Sequence, residues 1–187
     1  MAMRSPANTS SLAIRRATPA DAPMLAAFAA AAFSDTFAAD NTPEDMAAYL
    51  AEAFGEDKQR EELADASRVV LLAERDGELA GYVMLNDATV PAVATRVKLE
   101  NAIEIARLYS GRRWIGTGVG AALMQHCLDL AASRGREWIW LGVWERNARA
   151  IAFYERWEFT DVGSQSFQLG ADRQTDRIMA RRLAAQE

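Results

Sequence analysis

The spacing of apolar positions changes along the chain, and with it the element each segment predicts. Leu12 to Arg16 is a short apolar and basic run that reads as a strand. Thr18-Pro19-Ala20-Asp21 then places a proline near the first helical position, and the alanine- and phenylalanine-rich run Met24 to Phe33 contains neither glycine nor proline. Together they predict a helix from about Ala20 to Phe37. Thr42-Pro43-Glu44-Asp45 opens a second helix through about Phe54, and Glu56 to Leu63 reads as a short third one. From Arg68 the pattern becomes β: Val69 to Ala73 is a buried strand, Arg75-Asp76-Gly77-Glu78 a turn, and Leu79 to Leu85 its hairpin partner. Ile103 to Tyr109 is a further strand. After a glycine-rich loop, Leu123, Met124, Cys127, Leu128 and Ala131 fall at helical spacing, and Gly135 closes that helix. Trp138 to Trp144 is the next strand, and Asn147 caps a helix with Ala150, Phe153, Tyr154 and Trp157 on its apolar stripe. Strands near Phe159 to Phe167 and Arg177 to Leu183 end the pattern. No repeat or linker interrupts it, so residues 12–187 are expected to form a single domain behind a disordered leader, residues 1–11.

Composition narrows the chemistry. Half of the 187 residues are hydrophobic, enough for a core that needs neither disulfides nor metal. With one cysteine, Cys127, and one histidine, His126, an internal disulfide and a Cys/His zinc site are both out of reach, so no metal is expected and a reducing, cytoplasmic setting fits. No stretch approaches the roughly 20 apolar residues of a membrane span, and residues 1–11 lack the apolar core of a signal peptide. The formal charge of −5 argues against a nucleic acid partner and favours a cationic or neutral small one. The acidic segment from Asp40 to Asp65 is either a solvated helical face or a rim that attracts a cationic amine.

The most informative stretch is the strand, loop and helix around Gly116-Thr117-Gly118-Val119-Gly120. Glycines let successive backbone N–H groups approach an anion, and the helix N-terminus behind them adds about half a positive charge. The result is a cradle for a pyrophosphate that uses no lysine; the plainer alternative is a tight turn between strand and helix. The segment resembles the acetyl-coenzyme A-binding motif of the GNAT superfamily, written Q/R-x-x-G-x-G/A after a strand that ends in a Leu-Tyr-type pair. Counting from Tyr109 puts the motif glycines on Gly118 and Gly120 and leaves Ile115 at the Gln/Arg position. The other register, Arg113-x-x-Gly116-x-Gly118, shortens the loop by two residues, and the first is preferred because Ala121-Ala122-Leu123-Met124 then starts the helix where the family starts it. Downstream, Asn147 to Phe159 is similar to the family's N-x-x-A-x-x-x-Y-x-x-x-G-F, with Glu158 in place of the glycine.

This resemblance implies an α/β (α+β) fold of the GNAT type: a central mixed, largely antiparallel twisted sheet of about six to seven strands, flanked by about four helices. It implies an N-acetyltransferase that moves the acetyl group of acetyl-CoA to a primary amine by direct attack. The backbone of Leu108, Tyr109 and Ser110 would pair with the pantetheine arm, and the loop Ile115, Gly116, Thr117, Gly118, Val119 and Gly120 would hold the pyrophosphate. Tyr154 would protonate the departing thiolate; read from its helix stripe alone it is a core tyrosine. Asn147 is either a plain N-cap or a cap that also touches the pantetheine. Glu104 is either an exposed strand carboxylate or the acceptor of the substrate's ammonium proton. Such a base has work to do, because an amine of pKa about 10.4 is neutral in only about one molecule in 2,500 at pH 7. Arg112 and Arg113 either meet phosphates or are solvated. Phe33 to Phe37 and Thr42 to Asp45 resemble, less specifically, the branch that includes polyamine acetyltransferases. The implied partner is a small-molecule amine, with no nucleic acid or membrane and with room for a homodimer. Two rival readings remain at this point: a non-catalytic acetyl-CoA sensor, and a dinucleotide-dependent oxidoreductase, since Gly116-x-Gly118-x-x-Ala121 also fits that fingerprint.

Overall fold

The computed structural model describes residues 11–93 and 95–184; the first ten residues of the predicted leader lie outside them. The chain runs through β1 (Ala13–Arg16), α1 (Ala22–Phe37), α2 (Pro43–Ala53), α3 (Glu56–Ala64), β2 (Arg68–Arg75) and β3 (Glu78–Asn86). It continues through β4 (Ala102–Ser110), α4 (Val119–Ser133), β5 (Trp138–Trp144), α5 (Ala148–Arg156), β6 (Thr160–Leu169) and β7 (Asp172–Arg182). The strands form one sheet of order β1-β2-β3-β4-β5-β7-β6. Every adjacent pair is antiparallel except β4 and β5, which are parallel. That rules out the doubly wound parallel sheet a dinucleotide-dependent oxidoreductase would need.

Two apolar layers sandwich the sheet. On one face α4 and α5 bury Val119, Leu123, Met124, Cys127 and Ile151 against Ile103, Ile105, Ile139, Leu141 and Val143. On the other, α1 and α2 bury Leu25, Ala29, Phe33 and Met46 against Val70, Leu72, Tyr82 and Met84. The β2–β3 turn uses left-handed backbone at both Asp76 (φ 56°) and Gly77 (φ 77°), the geometry that Asp-Gly favours in a two-residue hairpin loop.

Several elements depart from the sequence pattern. Pro19–Asp21 is a 3-10 turn, so α1 begins at Ala22. The five α-helices among the described residues match the five helical segments read from the sequence pattern, where the resemblance implied about four. The helical stretch Pro19–Asp40 is, at 22 residues, long and apolar enough to cross a membrane, contrary to the expectation. Much of its apolar character is alanine, and it packs Ala22, Leu25, Ala29 and Phe33 onto the sheet as a core helix does. β7 starts at Asp172 rather than Arg177, because the polar run Asp172 to Asp176 is held by its backbone ladder with β6 and not by an apolar face. On α5 it is Ile151, with Tyr154, that is buried. Glu62 is not part of a solvated acidic face. It is buried, and its carboxylate accepts hydrogen bonds from Arg107 at 2.7 Å and 3.2 Å and pairs with Arg68 at 2.8 Å. That fixes the otherwise polar α3 against β4.

One feature of the sheet matters most for chemistry. β4 and β5 pair only at Ala102 with Trp138, Ile103 with Ile139, and Glu104 with Trp140. Beyond Glu104 the strands splay, so β4 keeps β3 on one side, through Ser110 with Gly81, but has no strand on the other. Ala106 is an extra residue at this point, between Ile105, which pairs with Leu85, and Arg107, which pairs with Met84. Such a bulge bends the strand and turns it away from its neighbour.

Candidate functional site

The splay opens into a cleft of about 480 Å³. One wall is β4, with Leu108, Tyr109 and Ser110; the end is the glycine loop, with Ile115, Gly116, Gly118 and Gly120; and the other wall is α5, with Asn147, Phe153 and Tyr154. Local physics places the loop. Trp114 is flanked by two guanidinium groups, Arg75 at 5.5 Å and Arg113 at 4.5 Å from its ring, and Arg113 also pairs with Glu78. Arg113 is therefore engaged within the loop, and Arg112 is exposed. Gly118, the residue before α4, sits at φ 92°, a left-handed value that a side chain resists. A Cβ there would meet nothing within 4 Å, so the space in front of the helix N-terminus is open.

Close backbone approach seats that helix. A Cβ on Gly81 of β3 would lie 2.7 Å from Val119 Cγ1 and 2.8 Å from the Tyr109 carbonyl oxygen, so only glycine lets α4 start this near the sheet. Val119 is consequently fully buried in the core, and Thr117 donates from its hydroxyl to the Trp114 carbonyl at 2.8 Å. The side chains of these two predicted cofactor residues are thus turned into structure and do not line the cleft.

Asn147 accepts a hydrogen bond from the Ala150 N–H at 3.1 Å, the N-cap that starts α5 and presents Tyr154 to the cleft. Tyr154 is buried against Phe153 and Phe159, with ring centroids 5.4 Å and 5.9 Å away, and no described residue hydrogen-bonds its hydroxyl. Burial raises its pKa, with the nearby Cys127 adding to the effect, so the phenol keeps its proton at neutral pH. Burial likewise pushes the Cys127 thiol up to about 12, and His126 faces solvent with Nδ1 at 2.9 Å from the Ala122 carbonyl; neither makes a nucleophile. Glu158, which stands where the family motif has glycine, adopts φ 63°, so the glycine-type turn is kept by a residue that is strained in it. Its carboxylate pairs with Arg181 at 2.8 Å.

Glu104 does not line this cleft. It lies where the splay begins, beside Trp140, and accepts a hydrogen bond from Asn86 Nδ2 at 2.9 Å. The cleft also holds residues to which the sequence assigned no site role: Thr36 at the end of α1, within the singled-out segment Phe33 to Phe37, and Arg149 and Arg156 on α5. The signal for the two arginines was available, since both fall on the polar side of an amphipathic helix that faces the loop, but a solvated arginine looks the same in sequence. Among the described residues no group of His, Cys, Asp and Glu is arranged to hold a metal.

A second set of contacts closes the opposite face. Asp45, at the start of α2, accepts a hydrogen bond from the Ala171 N–H at 2.5 Å, and Gln174 of β7 donates to Asn41 Oδ1 at 2.6 Å. The connection between α1 and α2 is thereby tied to the β6–β7 hairpin, over the strand ends that carry Trp144 and Asp176.

Comparison with known proteins agrees with this geometry. Residues 31–159 match the acetyltransferase (GNAT) family model. An uncharacterised N-acetyltransferase of Lactobacillus delbrueckii subsp. lactis is 36% identical over 167 residues, covering 87% of this chain and 92% of the relative. The streptothricin acetyltransferase of Streptomyces lavendulae is 38% identical over 112 residues, covering 60% of this chain and 54% of the relative. In structure, the PaiA N-acetyltransferase of Thermoplasma acidophilum, solved in complex with coenzyme A, superposes with a TM-score of 0.73 at 20% identity, over 92% of this chain and 99% of the other.

Proposed function

Given that the chain belongs to the acetyltransferase (GNAT) family and is an acetyl-CoA-dependent N-acetyltransferase, we propose that its acceptor is the primary amine of a small cationic molecule and that the residues around the splay divide the chemistry between them. The observation that carries this division is the open edge of β4 beyond Glu104, which ends at a glycine loop and a helix N-terminus. Acetyl-CoA fits the chain's own groups. The free backbone edge from Leu108 to Ser110 suits the amides of a pantetheine arm, as an added strand suits a sheet edge. The N–H groups at the start of α4, with Arg149 and Arg156 nearby, suit the phosphates.

Glu104 takes the ammonium proton of the acceptor, held in orientation by Asn86. The free amine then attacks the thioester carbonyl, whose developing negative charge is met by a β4 backbone N–H near the Ala106 bulge. Tyr154, still protonated, gives its proton to the departing thiolate and regains one as the amide nitrogen sheds its second proton. A small amine is favoured because the connection between α1 and α2, tied to the β6–β7 hairpin, covers the acceptor face. The streptothricin acetyltransferase relative supports a small-molecule acceptor by its name. A single buried thiol, Cys127, suits a cytoplasmic setting.

The test is release of coenzyme A from acetyl-CoA across polyamines, amino acids, aminoglycosides and peptide N-termini. Turnover with at least one small cationic amine is expected. Silence across the panel by a protein that binds acetyl-CoA tightly would replace catalysis with sensing, and turnover only with peptide N-termini would overturn the small acceptor.

A further inference from the structure

On the face of the sheet that carries Glu104, the mechanism leaves a mostly buried carboxylate without a role. Asp176 of β7 stands directly across from Trp144 of β5 and Gln165 of β6. Paired residues in an antiparallel ladder share a face, so these three side chains project together. They also lean over β5. A Cβ built on Gly142 would lie 2.8 Å from Gln165 Nε2 and 3.2 Å from Asp176 Oδ2, so the glycine is what lets both polar groups cross the strand toward β4. Gly142 is two residues beyond Trp140, the last β5 residue that pairs with β4, and Glu104 is that residue's partner. Asp176 therefore reaches over the mouth of the splay, on the same face as Glu104.

The surroundings make this carboxylate unusual. It is mostly buried, and no described residue gives it a hydrogen bond or an ion pair. Glu145 is the nearby charge, and it repels; burial first, and then Glu145, push the Asp176 carboxyl up to about 6. Arg177 and Arg181 alternate with it along β7 and project to the other face. Arg146 stacks on the Trp144 ring at 5.3 Å. Tyr49 of α2 is close enough for the Asp176 charge to add to the rise that burial causes in its phenol. Phe37 of α1 packs on Trp144 at 5.7 Å. The carboxylate thus sits under an aromatic cover with no cation paired to it, Arg146 lying against the Trp144 ring instead, a setting that is costly unless a cation arrives from outside.

Building on the amine acceptor proposed above, we propose that Asp176 holds a second positive charge of the acceptor, which makes short dicationic amines the preferred substrates. Two residues along a strand is a step of about 7 Å and the neighbouring strand lies about 5 Å to the side, so the span between Glu104 and the carboxylate over Gly142 is one that a short aliphatic chain covers. The reacting amine would lie at Glu104, and the distal ammonium would lie between Asp176 and Gln165, where charge and hydrogen bonding act together.

The test compares putrescine with butylamine, equal in chain length and differing by one charged end, in the wild-type protein and in Asp176→Asn. The expected wild-type result is a kcat/KM for putrescine about tenfold or more above that for butylamine, carried by KM. In Asp176→Asn that ratio collapses toward one, while the affinity for acetyl-CoA holds and the melting temperature shows a folded protein. Equal use of both amines by the wild type, or a preference that survives the substitution, overturns the role of Asp176 while leaving an amine acetyltransferase intact. A wild-type protein that acetylates no amine overturns the amine reading and this inference with it.

Discussion

The cleft and the face under the α1–α2 connection, the two halves of the site, are built from different material. The half that faces the loop, from β4 through α5, is made largely of backbone: a strand edge freed by the splay, a left-handed Gly118, and a helix start brought close by Gly81. The half under the α1–α2 connection is made of side chains from distant segments, Asp45, Asn41, Gln174 and Asp176, of which Asp45 and Asn41 each reach the β6–β7 hairpin through one hydrogen bond. Backbone geometry tolerates few residue types at each position, whereas side-chain contacts can be exchanged one at a time. A shared co-substrate on the first half and a variable acceptor on the second follow from that difference.

Breaking the backbone half should have the largest effect. Gly118→Val forces a β-branched residue into left-handed backbone, at a cost of about 1–2 kcal/mol, and places its methyl groups in the open space before α4. Calorimetry should then find no binding of acetyl-CoA to a protein that still melts cooperatively; unchanged affinity would reduce the loop to a turn. Next in size is Tyr154→Phe, which removes the proposed proton donor and keeps the ring against Phe153 and Phe159. A fall in kcat of about 10²- to 10⁴-fold with little change in acetyl-CoA affinity is expected from steady-state kinetics and titration together. Full activity would assign the proton to water.

Smaller and differently placed effects belong to the side-chain half. Asp45→Ala releases the α2 start from Ala171 and removes the hydrogen bond that the Thr42 hydroxyl donates to it, so KM for the acceptor should rise while the acetyl-CoA affinity stays put. A parallel loss of both would mean that the two halves are not separable. The smallest signal is one of stability. The Asp176 carboxyl is raised to about 6 in the folded protein from an ordinary 3.8, so over that interval the folded state binds more protons than the unfolded one, and stability falls as pH rises through it. Asp176→Asn removes the cost. Its melting temperature should exceed that of the wild type at pH 8, and the gap should close as the pH is lowered through about 6 toward 4. A gap independent of pH would point to packing instead of charge.

The same contrast explains what could be read from the residues in order. The element pattern and the α5 cap both rest on local rules, and they stand within a few residues of where the sequence places them. Glycines, caps and helical spacing are visible one segment at a time. What escaped is what needs two distant segments at once. Glu62 looked like one more acid on a polar helix until Arg107 and Arg68 were seen beside it. The first five residues of β7 carry no apolar signal, because their ladder with β6 is backbone. Asp176 gave no sign at all, since its setting depends on Gly142, Gln165 and the roof from α1 and α2. Glu158 shows the limit of motif reading from the other side: the glycine is missing, yet the turn it would make is present at φ 63°.

The most direct test of the account is the melting temperature of the wild-type protein with acetyl-CoA, set against the same excess of NAD. A ligand that binds only the folded state adds RT ln(1 + [L]/Kd), about 2.7 kcal/mol at a hundredfold excess over Kd. The account predicts a clear upward shift with acetyl-CoA and none with NAD. No shift with acetyl-CoA, or an equal shift with NAD, would contradict the assignment of the splayed strands and the glycine loop to acetyl-CoA.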